Sequence, residues 1–313
     1  MQTAYTITNG GIVSAQPGEK PNWLRIQAPS EQELKALTDQ YHLPPSYVLA
    51  ATDPHEDPRI DGFNDDRNTP AFMLLRFPVE SRNAMGYRQY ITQSVALFIW
   101  EDWVMTIANQ PITINEQIPN APFPLTADPE SFTLQLTWTA LHQFVDAMDK
   151  LNGETASLEG SLGHAAKNTQ MYQIMSMQKS LIYFENALRH SQDFLHQLIT
   201  NDRYFTTSAY LDQINAVSVE ASQAQSMVST TERVLEQYNS AVSSVISNNL
   251  NLIMKVLTSL TIILTIPTII GGIYGMNVRL PFAHAYNAFW WLMALTAVLC
   301  GLVAWWLHRH DYF

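Results

Sequence analysis

Few residues of this chain stand in a pattern that could do covalent chemistry. Among its 313 residues there is no Gly-x-Ser-x-Gly elbow, no phosphate-binding glycine loop, no dinucleotide fingerprint and no His-Glu-x-x-His pair. The one cysteine, Cys300, lies in an apolar run, so no internal disulfide can form and no zinc–cysteine cluster exists. The nine histidines are scattered without ligand spacing. An enzyme is not expected, and neither is an organic cofactor. The remaining chemistry is that of oxygen: hydroxyls, amides and carboxylates, which suit hard cations such as Mg²⁺.

Two groups of residues carry that chemistry. The first is an acidic stretch, Asp53, His55, Glu56, Asp57, Asp61, Asp65 and Asp66. Its spacing fails as an EF-hand, because no Glu stands at the twelfth position from any start. A solvated loop with capping Asp residues is the expected reading. The second is a stripe of threonines. Thr258, Thr261, Thr265 and Thr268 are spaced three, four and three, so they share one face of a helix. The stripe extends back to Met254 and forward to Gly272, and the other faces are Ile and Leu. Four hydroxyls on one face predict a wall that meets water or another helix.

The stripe needs a membrane helix to hold it. From Lys255 no further charge occurs through Val278, which leaves about 23 uncharged residues, or roughly 35 Å of helix; a bilayer core needs about 20. A buried helix of a soluble core would read the same, but a second run, Ala288–Leu307, follows closely. It has Phe289, Trp290 and Trp291 at one end and Trp305 and Trp306 at the other, as two aromatic belts. Pro267 is expected to bend the first helix, and Gly271 and Gly275 allow close helix approach. That helix closes on Tyr274-Gly275-Met276-Asn277, where Gly275 is able to take positive φ.

The rest of the chain reads in order. The start, MQTAYTITNGG, does not look like a signal peptide. A strand is predicted over Trp23–Gln27, and Ser30-Glu-Gln-Glu33 is a capping-box signal for a helix to about Tyr41. Pro44-Pro45 ends that helix and opens a short second one. Phe72–Phe77, Ser94–Trp100 and Trp103–Ile107 are further strands, with Glu101-Asp102 as a hairpin turn. Prolines punctuate 110–130, and then none occurs until Pro267, which favours helix. Glu130–Leu151 and Lys167–Ile199 are expected to form a hairpin broken around Gly153, Gly160 and Gly163. From about Thr206 to Val278 the chain is predicted to be one helix, on the order of 110 Å long. Such a helix must pack on copies of itself or on the preceding hairpin. The net charge of −11 without a Lys/Arg run argues against a nucleic-acid partner.

In this setting the chain closely resembles the CorA family of divalent-cation transporters, whose signature Gly-Met-Asn stands at this place. The resemblance covers the whole length and is strongest over Asn248–Asn277. It implies an α/β N-terminal cytosolic domain (1–125) and a helical hairpin (126–205). A stalk helix (206–255), a pore-lining membrane helix (256–278), an external loop (279–287), a second membrane helix (288–307) and a cytosolic tail (308–313) follow. It implies a funnel-shaped homopentamer in the plasma membrane, with both termini cytoplasmic. Gly275, Met276 and Asn277 would form the outer mouth, with Asn277 meeting the hydrated ion. Met254, Leu257, Thr265 and Thr268 would line the channel, and the stripe adds Thr261. Mg²⁺ would be both the substrate and the regulator that holds the pore shut. Three departures stand out. The external loop Val278–Phe282 carries Arg279 where relatives are acidic. The basic tail is reduced to His308-Arg309-His310. Ala216 takes the place of a regulatory acid, with Asp212 and Glu220 about a turn either side. The alternatives are a Zn²⁺, Co²⁺ or Ni²⁺ transporter of the same family, and a non-conducting membrane-anchored oligomeric sensor.

Overall fold

The structure is a computed structural model and describes every residue except 17, 19, 65–68, 113–117, 160–167, 202, 279, 282–285, 311 and 313. The chain divides into two compact units, one of the described residues up to Tyr238 and one of those from Asn239 onward.

The first unit is built on a mixed sheet. Strands β1 (Gln2–Thr8), β2 (Gly11–Ser14), β3 (Trp23–Gln27), β4 (Arg59–Asp61), β5 (Ala71–Arg82), β6 (Arg88–Ile99) and β7 (Val104–Ala108) lie in the order β2-β1-β3-β7-β6-β5-β4. The β3–β7 pair is parallel and the other pairs are antiparallel. Parallel pairing needs a long crossover, and helices α1 (Glu31–Tyr41) and α2 (Pro45–Thr52) lie within it. The expected capping box starts α1: the Ser30 amide donates to Glu33 Oε2 at 2.8 Å and the Glu33 amide to Ser30 Oγ at 3.3 Å. His42 in the left-handed region ends α1, and Pro45 opens α2 as its first residue.

Side chains alternate across the sheet, so both faces are buried. Leu24, Phe72, Phe98 and Met105 pack with Leu37 and Tyr47 beneath α1 and α2. On the other face Trp23 lies against Phe132, with ring centroids 4.8 Å apart, and Thr137 Oγ1 reaches Met73 Sδ at 3.4 Å. These partners belong to α3 (Pro129–Glu159), while α4 (Asn168–Leu188) brings Phe184 to 5.5 Å from Tyr90 of β6. The Glu101-Asp102 turn joins β6 to β7, and the Trp100 and Trp103 rings stack across it at 4.1 Å.

Four elements differ from the sequence reading. The β1–β2 hairpin was not anticipated, although Asn9-Gly10 is a two-residue turn signal and Gly10 takes φ +88°. Part of the acidic stretch is not loop: Arg59–Asp61 is the edge strand β4, and Arg59 pairs with Glu56 at 3.1 Å and Asp61 at 2.9 Å. Asp65 and Asp66 lie outside the described residues. Third, α3 runs through Gly153 to Glu159. One helical glycine costs about 1 kcal/mol, and the same turns bury Leu151, Thr155 and Leu158, which offsets it. Gly160 and Gly163 fall outside the described residues. The segment expected as one helix to Ile199 is instead α4 and α5 (Ser191–Ile199), separated at Arg189-His190.

The long helix is α6 (Ser208–Tyr274), and α7 (Ala288–Arg309) follows it. Within the first unit α6 buries Ile214, Val217, Ala221, Ala224, Val228, Thr231, Leu235 and Tyr238. That spacing of three and four is a coiled-coil seam. Its partner is α3: Thr231 Oγ1 donates to Asn152 Oδ1 at 2.7 Å, and the Tyr238 hydroxyl to the Leu158 carbonyl at 2.8 Å. At the start of α6 the Tyr210 hydroxyl donates to Asp128 Oδ1 at 2.7 Å. Burial first, and that bond second, push its pKa well above the tyrosine range, so it stays a donor.

Trp23 tests the sheet. It is 0% exposed, and its Nε1 donates to Thr106 Oγ1 at 3.0 Å. Trp23→Ala should cost about 3–5 kcal/mol, seen as a lower midpoint in thermal denaturation of the solubilised protein. A midpoint within error of wild type would contradict this packing.

Candidate cation path

The second unit holds the residues that could meet an ion. The C-terminal part of α6 and all of α7 are long and apolar enough to cross a membrane, and almost none of either span is buried by the chain. A soluble core helix would be covered. These helices present Ile, Leu, Phe and Trp outward, as lipid-facing segments do.

The two helices meet along one side of α6. Pro267 has no amide hydrogen, so it cannot bond the carbonyl four residues earlier, that of Ile263. The Cys300 thiol of α7 points to that carbonyl, with Sγ 3.6 Å from the Ile263 oxygen. Ser259, 1% exposed, and Ile266 and Ile270 lie on the same face at 100° per residue. The threonine stripe lies roughly 140° away. Thr258, Thr261, Thr265 and Thr268 are all exposed, facing neither α7 nor any other described element. Below them Met254 and Leu257 are 57% and 55% exposed.

The hydroxyls are not idle. Thr261 Oγ1 donates to the Leu257 carbonyl at 2.8 Å, Thr265 to Thr261 at 2.7 Å and Thr268 to Leu264 at 2.9 Å. Each proton is tied to the helix, so the lone pairs that remain can only accept. Such a stripe receives hydrogen bonds from water, as the hydration shell of a cation offers them.

The first span closes on a tightened helix end. The Gly275 amide bonds the Gly271 carbonyl at 2.9 Å and the Met276 amide that of Ile273 at 3.2 Å. Gly275 is not among the residues with positive φ, contrary to the sequence reading. Its lack of a side chain serves a close approach, since a Cβ there would sit 3.2 Å from the Gly271 oxygen. Met276 and Asn277 are exposed beyond it, and the Tyr274 hydroxyl reaches the Pro281 carbonyl at 3.3 Å. Arg279 and His284 of the loop lie outside the described residues. At the other end of the hairpin Lys255 lies 5.7 Å from the Tyr312 ring and Arg309 5.4 Å from the Trp305 ring, an interfacial arrangement.

The stalk acids behave differently from each other. Asp212 is exposed. Glu220 turns inward, 14% exposed, and its Oε1 lies 2.7 Å from His142 Nδ1 of α3. His142 stacks on Trp138 at 4.4 Å, with Asp146 3.8 Å from its Nε2. Among the described residues no three acids, histidines or cysteines converge as a metal site. The sequence reading gave His142 no role, and Cys300 none beyond ruling out an internal disulfide. The second had a signal, the carbonyl that Pro267 orphans; the first had none, being 78 residues from its partner.

A soluble α/β domain joined by one long helix to a two-span hairpin, with a neutral oxygen stripe on its first span, defines an integral membrane protein of the transporter class. Residues 18–309 match the family described as CorA-like Mg²⁺ transporter protein, and the chain belongs to it. Members of this family are membrane transporters of divalent metal cations, not enzymes, and the chain is a two-span cell-membrane protein with cytoplasmic termini. The cobalt/magnesium transport protein CorA of Methanocaldococcus jannaschii is 25% identical over 299 residues, covering 93% of this chain and 90% of that protein. The complete structure of the CorA magnesium transporter from M. jannaschii superposes with a TM-score of 0.80 at 22% identity, over 100% of this chain and 99% of that one. The ZntB cytoplasmic domain from Vibrio parahaemolyticus matches with a TM-score of 0.60 at 12% identity, over 79% and 98% of the two chains. Both structural matches speak for the fold alone.

Cys300 offers a test of the hairpin. Cys300→Ser keeps a donor for the Ile263 carbonyl and should leave thermal stability in detergent unchanged or higher. Cys300→Val removes the donor and should cost about 0.6 kcal/mol, seen as a lower denaturation midpoint. Equal midpoints for Ser and Val would show that the thiol does not serve Ile263.

Proposed function

We propose that this chain forms a homopentameric, channel-like path that admits Mg²⁺ to the cell down the membrane potential. The observation that carries this reading is the threonine stripe, exposed on the side of α6 away from α7, with the hydroxyl protons of Thr261, Thr265 and Thr268 already spent on the helix. Two spans per chain cannot enclose a path, so several copies must turn this face toward a common axis. The stripe then becomes stacked rings of hydrogen-bond acceptors at Thr261, Thr265 and Thr268.

Those rings suit Mg²⁺ because it dehydrates reluctantly. Neutral acceptors bind the water shell rather than the bare ion, at little desolvation cost. No carboxylate stands in either span to hold the ion tightly, and weak binding at several sites favours exit. Asn277 adds an amide oxygen at the mouth, and Met254 and Leu257 supply an apolar constriction at the inner end. The potential suffices: two charges across about 100 mV gain roughly 4.6 kcal/mol. Closure by cytosolic Mg²⁺ falls to Asp212, because Glu220 is committed to His142. A bare membrane anchor needs neither stripe nor amide, and a path for Zn²⁺ would favour nitrogen or sulfur ligands, which the stripe lacks.

Asn277→Ala should abolish Mg²⁺ flux into liposomes at matched protein level, while Thr268→Ala weakens it less because the neighbouring rings remain. Asn277→Asp should bind the ion more tightly and slow its release. Wild-type flux in the Asn277→Ala chain would reduce the motif to a helix end. The assembly is tested separately by native mass spectrometry of the solubilised protein. A pentamer is expected, and a stable monomer or dimer would sink the pore.

A further inference from the structure

The outer half of the hairpin contains a groove of about 370 Å³ between α6 and α7. Pro267, Ile270 and Gly271 form one wall and Phe289, Leu292 and Met293 the other. Gly271 keeps it open, since a Cβ added there would meet no atom within 4 Å. Its two polar side chains are already satisfied. Thr296 Oγ1 donates to the Leu292 carbonyl at 2.7 Å, and the Tyr274 hydroxyl bonds the Pro281 carbonyl. With both protons spent, the lining offers water no donor and only the remaining lone pairs of two oxygens among apolar side chains, and an apolar occupant fits it.

The direction in which the groove opens identifies that occupant. Pro267, Ile270 and Gly271 lie roughly 140° around α6 from the centre of the threonine stripe. On the pore reading of the previous subsection, on which this step rests, the stripes of all copies face the axis. The groove then opens on the lipid side of the ring, where no aqueous phase reaches. We propose that it is a binding site for one acyl chain of an outer-leaflet phospholipid. The chain packs against Pro267, on the back of the turn that presents Thr265 and Thr268, and supports the helix where proline has removed a backbone bond.

The test uses the full-length protein in phosphatidylcholine vesicles doped with a phosphatidylcholine that carries a photoreactive diazirine on its acyl chain. Labelled residues are mapped by mass spectrometry. Label at Phe289, Leu292 and Met293 should exceed that at exposed Leu295 and Leu302 several-fold. It should fall to their level in Gly271→Leu and, independently, in Met293→Trp, each filling the groove from one side. Labelling no stronger than at Leu295 and Leu302, or unchanged in both filled variants, overturns the proposal. So does bifunctional thiol crosslinking of a Leu292→Cys chain to a second copy in preference to lipid. Mg²⁺ flux is read on the same vesicles. Groove labelling without flux refutes the pore and leaves the lipid site standing, whereas flux without groove labelling refutes the lipid site alone.

Discussion

In a bilayer core a backbone carbonyl or amide has no water to turn to, so each must be met from within the protein. The hairpin is arranged around that requirement. Pro267 breaks the ladder at one carbonyl, and α7 answers with the thiol of Cys300. Three threonines add second bonds to carbonyls of the same helix. The same economy gives the stripe its chemistry. A hydroxyl that has donated inward is an acceptor only, and a row of acceptors without charge attracts the outer face of a hydrated cation more than the cation itself. Structural satisfaction and the proposed function therefore use the same bonds.

The helix that carries the stripe begins far from the membrane residues, and most of its soluble length has weak intrinsic stability. Ser, Asn and Thr compete with helix formation through their own side chains. What holds this part is the seam against α3, where Ala221 and Ala224 are buried and Thr231 and Tyr238 bond across. Glu220 joins the seam through His142. A carboxylate so far buried needs a partner, and the imidazole supplies one without an ion. An acid that the resemblance set beside a regulatory position is thus bonded into the scaffold.

Much of the soluble domain was legible because its signals are local. The Ser30–Glu33 cap, the Pro44-Pro45 break and the alternating strands from Trp23 to Ile107 each lie within a few residues of one another. The hairpin spans were legible from length and from the absence of charge. What was missed has two causes. The β1–β2 hairpin and the run of α3 through Gly153 were misjudged from local rules: a turn signal was passed over, and one glycine was given more weight than the burial around it. The Glu220–His142 contact belongs to the other kind. No local pattern announces that residue 142 will face residue 220, because tertiary packing alone brings them together.

Charge explains why the proposed path can be built from neutral groups. The chain as a whole carries −11, yet none of that charge lies between Lys255 and Val278. An acidic ring in the span would bind a divalent ion strongly in low dielectric and release it slowly. Neutral acceptors bind weakly and leave the driving force to the membrane potential, which acts on both charges of the ion at once. In the proposed pore, selectivity would then rest on the size and strength of the hydration shell that fits between the rings. That shell is where Mg²⁺ differs most from Ca²⁺, which takes more ligands at longer distance and in looser geometry. In the proposed pore it is also why a single amide at the mouth would outweigh any one hydroxyl below it: Asn277 would meet the shell first, in water, before the apolar walls of the span restrict what can enter.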